Sequence, residues 1–437
     1  MINEQILLQI VAEWLRETTL PEITIRDIPV ISPEKLSSIL AVVGPRRAGK
    51  TFLLFQLIQE LEQSGKATRD KILFVDFEDF RLQGFLPADV DRLFTCFTRL
   101  TGHLPRFLFF DEIQHVPDWS RMLRTLHNRR IFKMVVTGSN STLLVQEVAT
   151  ELRGRYEDVL LLPFSFPEFL RYRRIDMEKT SFHTPARGII LGAFDEFLTS
   201  GGFPETFERT TVAEKKKILQ NYFSTIFYRD ILDRHNLKSP HLLNQMMRTL
   251  LENYSEVFSL SSFEKQVKAA GQPCSKRTLA NFLGYLEEAF FLITTRKHSF
   301  SARSRLMNPR KTYLIDTGFA LLGEPNMENR GKRLENLVAT HFSRHQQEMY
   351  YFSGRNECDF LIKEGTRLTE AWQVCWELHP KNEKRELKGL LEAMTTLDIS
   401  RGGVLTFNQE ETRSFEAREI GVLPVWKWLL KASLQHR

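Results

Sequence analysis

Residues 44 to 51 read Gly44-Pro45-Arg46-Arg47-Ala48-Gly49-Lys50-Thr51, between an apolar run, Ile39 to Val43, and an amphipathic segment from Phe52 to Leu61. A glycine-bent turn at a helix N-terminus directs several backbone N–H groups at one point, where the helix dipole also favours negative charge. Ending in a lysine and a hydroxyl residue, the turn is a complete phosphate-binding loop. Lys50 is expected to reach the β- and γ-phosphates of a nucleoside triphosphate, and the Thr51 hydroxyl to ligate Mg²⁺. All eight residues, Gly44 through Thr51, are expected to touch the nucleotide.

Hydrolysis needs more than a cradle. Phe107-Leu108-Phe109-Phe110 is fully apolar, as in a strand covered on both faces, and it ends in Asp111-Glu112. Asp111 is expected to hold Mg²⁺ and Glu112 to polarise the attacking water. Two further buried strands are expected over Lys71 to Glu78 and Phe132 to Asn140. Ligands of a parallel sheet gather beyond the carboxyl ends of its strands, so Ser139 or Asn140 could sense the γ-phosphate, or simply cap the following helix. No Asn-Lys-x-Asp sequence for reading guanine occurs, which favours ATP over GTP. In Leu152-Arg153-Gly154-Arg155, Arg155 is the first candidate and Arg153 the second for an arginine offered to the γ-phosphate of the same or a neighbouring subunit. Two surface arginines beside a loop are the plainer reading.

At 437 residues, 42% hydrophobic and 26% charged, the chain has the composition of a globular protein of several domains. Its apolar runs fall short of the ~20 residues of a membrane span, and the N-terminus lacks the basic start of a signal peptide, so a cytoplasmic location without membrane partners is expected. The four cysteines contain no CxxC pair, so neither a disulfide framework nor a zinc site is indicated. Charge is unevenly spread. Between Glu264 and Tyr313 stand ten basic side chains against three acidic ones, in a chain of net charge +6.

From Phe164 to Leu237 apolar residues recur at helical spacing, as in Ile218, Tyr222, Phe223, Ile226 and Phe227, which suggests a helical lid. Next come two short helices, one capped in Ser261-Ser262 and one capped by Ser275. Strands are expected at Phe291 to Ile293 and Lys311 to Asp316, giving the pattern of a winged helix-turn-helix. The second helix would present Lys276, Arg277, Asn281 and Tyr285. With Arg296 and Lys297 these make DNA the expected partner, although such folds also serve as protein-interaction modules. The sequence leaves open an unknown protein partner or a homo-oligomer.

The ordered motifs, from the phosphate loop through Phe110-Asp111-Glu112-Ile113-Gln114, Val136-Thr137-Gly138-Ser139-Asn140 and Leu152-Arg153-Gly154-Arg155 to Gly201-Gly202-Phe203-Pro204-Glu205, resemble those of the prokaryotic, archaeal-ATPase-like AAA proteins that carry a C-terminal domain of unknown function. The last segment resembles a PD-(D/E)XK nuclease-like core, with Glu335 on a helix, Asp359 starting a strand, and Gln373-Val374-Cys375 on the next. An active member needs two acids for Mg²⁺ and a lysine. Here Gln373 replaces an acid and Cys375 the lysine, so nuclease activity is expected to be absent.

The resemblance implies an α/β chain with a P-loop AAA-type parallel-sheet domain at 1–163, a helical lid at 164–240, a winged helix-turn-helix at 241–320 and a restriction-endonuclease-like α/β domain at 321–437. The expected function is Mg²⁺-dependent ATP binding and hydrolysis that drives a conformational change in a DNA-associated module. The alternative is a nucleotide-gated protein-interaction switch with little turnover.

Overall fold

The computed structural model describes residues 2–28, 32–139, 154–175, 185–237, 240–299, 301, 309–323, 330–416 and 418–435. They form two compact units, Met1–Leu162 and Pro163–Arg437.

The first unit is a parallel α/β layer. Its strands are β1 (Ile39–Val43), β2 (Ile72–Asp76), β3 (Phe107–Asp111), β4 (Lys133–Gly138) and β5 (Tyr156–Leu160), in the order β2-β3-β4-β1-β5. The helices are α1 (Glu4–Arg16), α2 (Lys50–Gln63), α3 (Asp89–Thr101) and α4 (Trp119–Asn128). Every residue of β1 and β3 is buried, as expected for strands covered on both faces. Leu53, Leu54, Leu57, Ile58 and Leu61 of α2 pack on Leu40 and Val42 of β1 and Phe107 and Phe109 of β3. This fixes α2 against the sheet with its N-terminus at the carboxyl end of β1. The Trp14 indole on α1 donates to the carbonyl of Ile72 at 2.6 Å, tying the N-terminal helix to β2.

The second unit opens with helices α5 (Phe166–Tyr172), α6 (Pro185–Ser200), α7 (Pro204–Phe207) and α8 (Val212–Thr225), which runs into a π-helical turn at Ile226–Asp233. Phe166, Phe169, Phe194, Phe197, Phe203 and Phe207 are buried here, and Ile218, Tyr222 and Phe223, whose spacing suggests a helix, lie on α8, with Ile226 and Phe227 in the π-helical turn. After α9 (Pro240–Glu252) come β6 (Glu256–Phe258), α10 (Leu260–Ala269), α11 (Lys276–Glu288), β7 (Leu292–Lys297) and β8 (Arg310–Leu314). Strand β8 pairs antiparallel with both β6 and β7. The cap of α10 is Ser259, whose side chain accepts from Ser262 N–H, rather than Ser261 or Ser262. The cap of α11 is Ser275, as expected.

The remaining elements are α12 (Arg330–Arg344), β9 (Glu348–Ser353), β10 (Glu357–Glu364), β11 (Arg367–Val374), α13 (Glu383–Thr396), β12 (Arg401–Thr406), β13 (Glu411–Phe415), β14 (Arg418–Pro424) and α14 (Val425–Gln435). Parallel pairing of β7 with β9, Arg296 opposite Tyr350 and Lys297 opposite Tyr351, joins both groups of strands into one nine-stranded sheet. Its order is β13-β14-β12-β11-β10-β9-β7-β8-β6. The divisions expected at 240 and 320 thus fall within the second unit, and the second of them within a stretch spanned by one sheet. No helix among the described residues is long and apolar enough to cross a membrane. All four cysteines are free thiols.

Candidate functional site

The phosphate loop leaves β1 and turns into α2 through two left-handed residues, Arg47 at φ 67° and Gly49 at φ 94°. Gly44 is required by packing rather than by φ. A Cβ there would stand 1.9 Å from the carbonyl oxygen of Leu161, just past the end of β5, and backbone cannot yield as a flexible side chain can. Gly44→Ala is therefore expected to destabilise the first unit by about 1–3 kcal/mol. Urea unfolding followed by circular dichroism measures this, and an unchanged midpoint contradicts it.

The Lys50 side chain lies back along the loop. It donates to the carbonyls of Gly44 and Pro45, each at 3.3 Å, and pairs with Glu112 at 3.3 Å. Lys50 is 4% exposed and Asp111 is 2% exposed, so both charges sit in a largely water-free recess. The Thr51 hydroxyl donates to Asp111 Oδ2 at 2.5 Å, while Thr137 donates to Asp111 Oδ1. Burial pushes the Asp111 carboxyl up to about 6, against the lowering effect of those two hydroxyls. Burial also raises Glu112, but the Lys50 ammonium and the Gln114 amide outweigh it and hold Glu112 below the usual carboxylate range. Thr51 and Asp111 present hard oxygen donors side by side, a set that suits Mg²⁺.

Glu112 follows the end of β3 in the left-handed region, at φ 48°, a conformation costly for a residue with a Cβ. Its N–H donates to Thr137 Oγ1 at 2.9 Å, which anchors that turn to β4. Gln114 donates to Glu112 Oε2 and, at 3.3 Å, to Ser139 Oγ. The sheet order therefore brings together the loop, the Asp111-Glu112 pair and Ser139, which come from three separated stretches of sequence.

Other expected residues fare differently. Asn140 and Arg153 lie outside the described residues. Arg155 is not brought to the loop. Its carbonyl accepts from Ile39 N–H at 2.8 Å, beside the start of β1, whereas the loop begins where β1 ends. About 13 Å of strand separates the two positions. Arg46 pairs with Glu78 at 3.3 Å, across the carboxyl ends of the strands.

Sequence reading missed Thr137, Gln114 and Arg26, although the first two lie inside motifs it had singled out. Arg26 comes from a stretch without periodicity or motif. Its buried guanidinium donates to the carbonyl of Ala48 in the phosphate loop at 2.7 Å and to that of Leu162 at 2.6 Å, and its N–H donates to Gln56 on α2 at 2.9 Å.

In the second unit, Lys276, Arg277 and Asn281 are exposed on α11, Arg296 is exposed on β7 and Lys297 is half-buried. Tyr285 is half-buried, with its ring stacked on His235 at a centroid distance of 3.6 Å. The basic stretch is weaker at the surface than its sequence count implies. Arg310 pairs with Glu287 at 3.0 Å, and Lys311 is buried among carboxylates.

Residues 36–170 match the family model of an AAA domain, and residues 191–326 match that of a domain of unknown function (DUF8612). An uncharacterized protein of Methanocaldococcus jannaschii is 30% identical over 443 residues, covering 98% of this chain and 96% of its own. An uncharacterized protein of Haemophilus influenzae is 28% identical over 349 residues, covering 79% of this chain and 84% of its own. Among solved structures, a Walker-type ATPase of Pyrococcus abyssi aligns with 73% of this chain and 95% of its own, at 14% identity and a TM-score of 0.41. With a relative alike along almost its whole length, the chain belongs to the family of the Methanocaldococcus protein, and the residues that build the loop and the acid strand form an AAA domain.

Proposed function

We propose that this chain is a Mg²⁺-dependent ATPase whose turnover changes the conformation of a DNA-associated module. The observation that carries the reading is the junction of Thr51 Oγ1 with Asp111 Oδ2 at 2.5 Å beside the Lys50–Glu112 pair at 3.3 Å. One recess thus holds a phosphate-binding cation, two oxygen donors for Mg²⁺ and a candidate base. In this reading Lys50 exchanges the Gly44 and Pro45 carbonyls for β- and γ-phosphate oxygens, with the loop's N–H groups around them. Thr51 and Asp111 would hold the Mg²⁺, which when bound would supply charge neutralisation on the phosphates. Glu112 polarises the attacking water, with Ser139 or Asn140 near the γ-phosphate. Arg155, about one strand's length from its own loop, has a γ-phosphate role open to it only toward a second copy of the chain.

The exposed Lys276, Arg277 and Arg296 support a DNA contact made largely through phosphates. Nuclease activity is proposed to be absent. The Gln373 amide is engaged with Glu386 at 2.6 Å, and burial pushes the Cys375 thiol far up, so neither supplies the charge that the chemistry needs.

One observation favours the alternative, a nucleotide-gated switch with little turnover. Glu112 is already engaged by both Lys50 and Gln114, and a base so held is slow to serve water. The deciding experiment measures the ATPase rate with and without single- and double-stranded DNA across a salt series, together with the subunit count in solution. DNA-stimulated hydrolysis that fades as salt rises supports the first reading. Very slow turnover without salt-dependent DNA binding overturns it in favour of the second.

A further inference from the structure

Three carboxylates from two elements of the second unit converge on one point, and an ammonium occupies it. Lys311 of β8 places its Nζ 2.7 Å from Glu335 on α12, 2.9 Å from Asp359 and 3.2 Å from Glu357, the last two on β10. The Lys311 side chain is 5% exposed. Glu335 and Asp359 are buried with it, while Glu357 is half open to solvent. The neutral neighbours are equally ordered. Tyr313 donates its hydroxyl to Glu335 at 2.9 Å, and the Val374 N–H donates to Asp359 Oδ2 at 2.9 Å.

Carboxylates gathered in this way are what a divalent cation requires. The nuclease-like resemblance implies such an ion here, yet the residues present do not fit one. The ammonium takes the carboxylate oxygens that a metal would need, and two positive charges cannot share so small a space. With the ammonium between them, Glu335, Glu357 and Asp359 do not form a metal-holding group, and none occurs elsewhere among the described residues. On β11, which pairs with β10, the Gln373 carbonyl oxygen is buried without a hydrogen-bond partner, a neutral donor where the fold family carries an acid.

We infer that Lys311 is the resident cation of this cluster, an internal ammonium standing where a divalent metal would otherwise bind, so that the nuclease-like half is closed to metal by its own chain. Buried acids must be compensated or neutralised, and here one lysine serves at least two of them. Burial and the adjacent Asp359 push Glu335 up to about 8, as befits acids that share a single positive charge. The carboxylates in turn outweigh burial and hold the Lys311 ammonium charged. An ordinary buried ion pair would show the same distances. What sets this assignment apart is that a metal should be able to replace the lysine.

The test uses the full chain without nucleotide, titrated with Mn²⁺ and followed by electron paramagnetic resonance and by thermal unfolding. The wild-type protein is expected to take up no Mn²⁺ that Asp359→Asn alters. Lys311→Ala is expected to bind one Mn²⁺ per chain at least ~10-fold more tightly than any site of the wild type, each tenfold being the usual 1.4 kcal/mol. Its lowered Tm should recover on adding the ion, and a second substitution, Asp359→Asn, should abolish both effects. Three results overturn the assignment: a folded Lys311→Ala that binds no more Mn²⁺ than wild type, a Lys311→Ala that stays unfolded even with Mn²⁺, or wild-type binding that Asp359→Asn removes.

Discussion

Glu112→Gln is expected to slow ATP hydrolysis by ~10²–10⁴-fold, the usual worth of a positioned general base, while ATP affinity is retained or raised. The amide keeps the shape of the side chain and its contact with Gln114, but it cannot accept a proton from water. It also gives up the 3.3 Å ion pair with Lys50, leaving that ammonium freer to meet phosphate. Single-turnover hydrolysis and equilibrium binding of labelled ATP separate the two quantities. A parallel loss of binding and turnover would remove Glu112 from the role of base. If turnover proves equally slow in the wild-type protein, the occupancy switch becomes the better account.

Lys50→Ala acts on the other quantity. Removing one partner of a buried, hydrogen-bonded charge pair costs ~2–5 kcal/mol, so ATP affinity should fall by ~30-fold or more. The same substitution leaves Glu112 without its cation in a largely buried setting, so the free protein should also melt at a lower temperature. Isothermal titration with a non-hydrolysable ATP analogue measures the first effect. The double variant Lys50→Ala/Glu112→Gln should regain much of the lost Tm and none of the lost affinity. Affinity within about twofold of wild type in Lys50→Ala, well under 1.4 kcal/mol, would mean that the nucleotide is held elsewhere.

The candidate nucleotide site is legible in the sequence because its chemistry is written locally. The glycine turn, the lysine and the hydroxyl are consecutive, and the acid pair ends a run whose apolar character already marks a central strand. Burial and strand order then did what the sequence implied, bringing Thr51 to Asp111 across a gap of sixty residues. What remained hidden depends on contacts between distant stretches. Arg26 looks like any surface arginine until the loop carbonyl of Ala48 is beside it. Lys311 counted toward a basic surface because sequence records its charge but not its neighbours, and those neighbours follow it by 24, 46 and 48 residues. Arg155 stands next to β5 in sequence, but strand polarity sets it at the opposite end of that strand from the loop. The Ser259 cap was missed by two residues because Ser259, Ser261 and Ser262 are chemically equivalent until the backbone turns.

The shared sheet of the second unit has a practical corollary for anyone dividing the gene. A fragment starting at 321 would lose the β7 partner of β9, the Leu314 backbone that clasps the Asn336 amide through bonds of 2.8 and 2.9 Å, and the lysine that bridges Glu335 and Asp359. Severed there, each piece would carry a raw strand margin, the kind of surface on which chains stick to one another. The stretches on either side of residue 320 are thus better regarded as one indivisible body than as beads on a string.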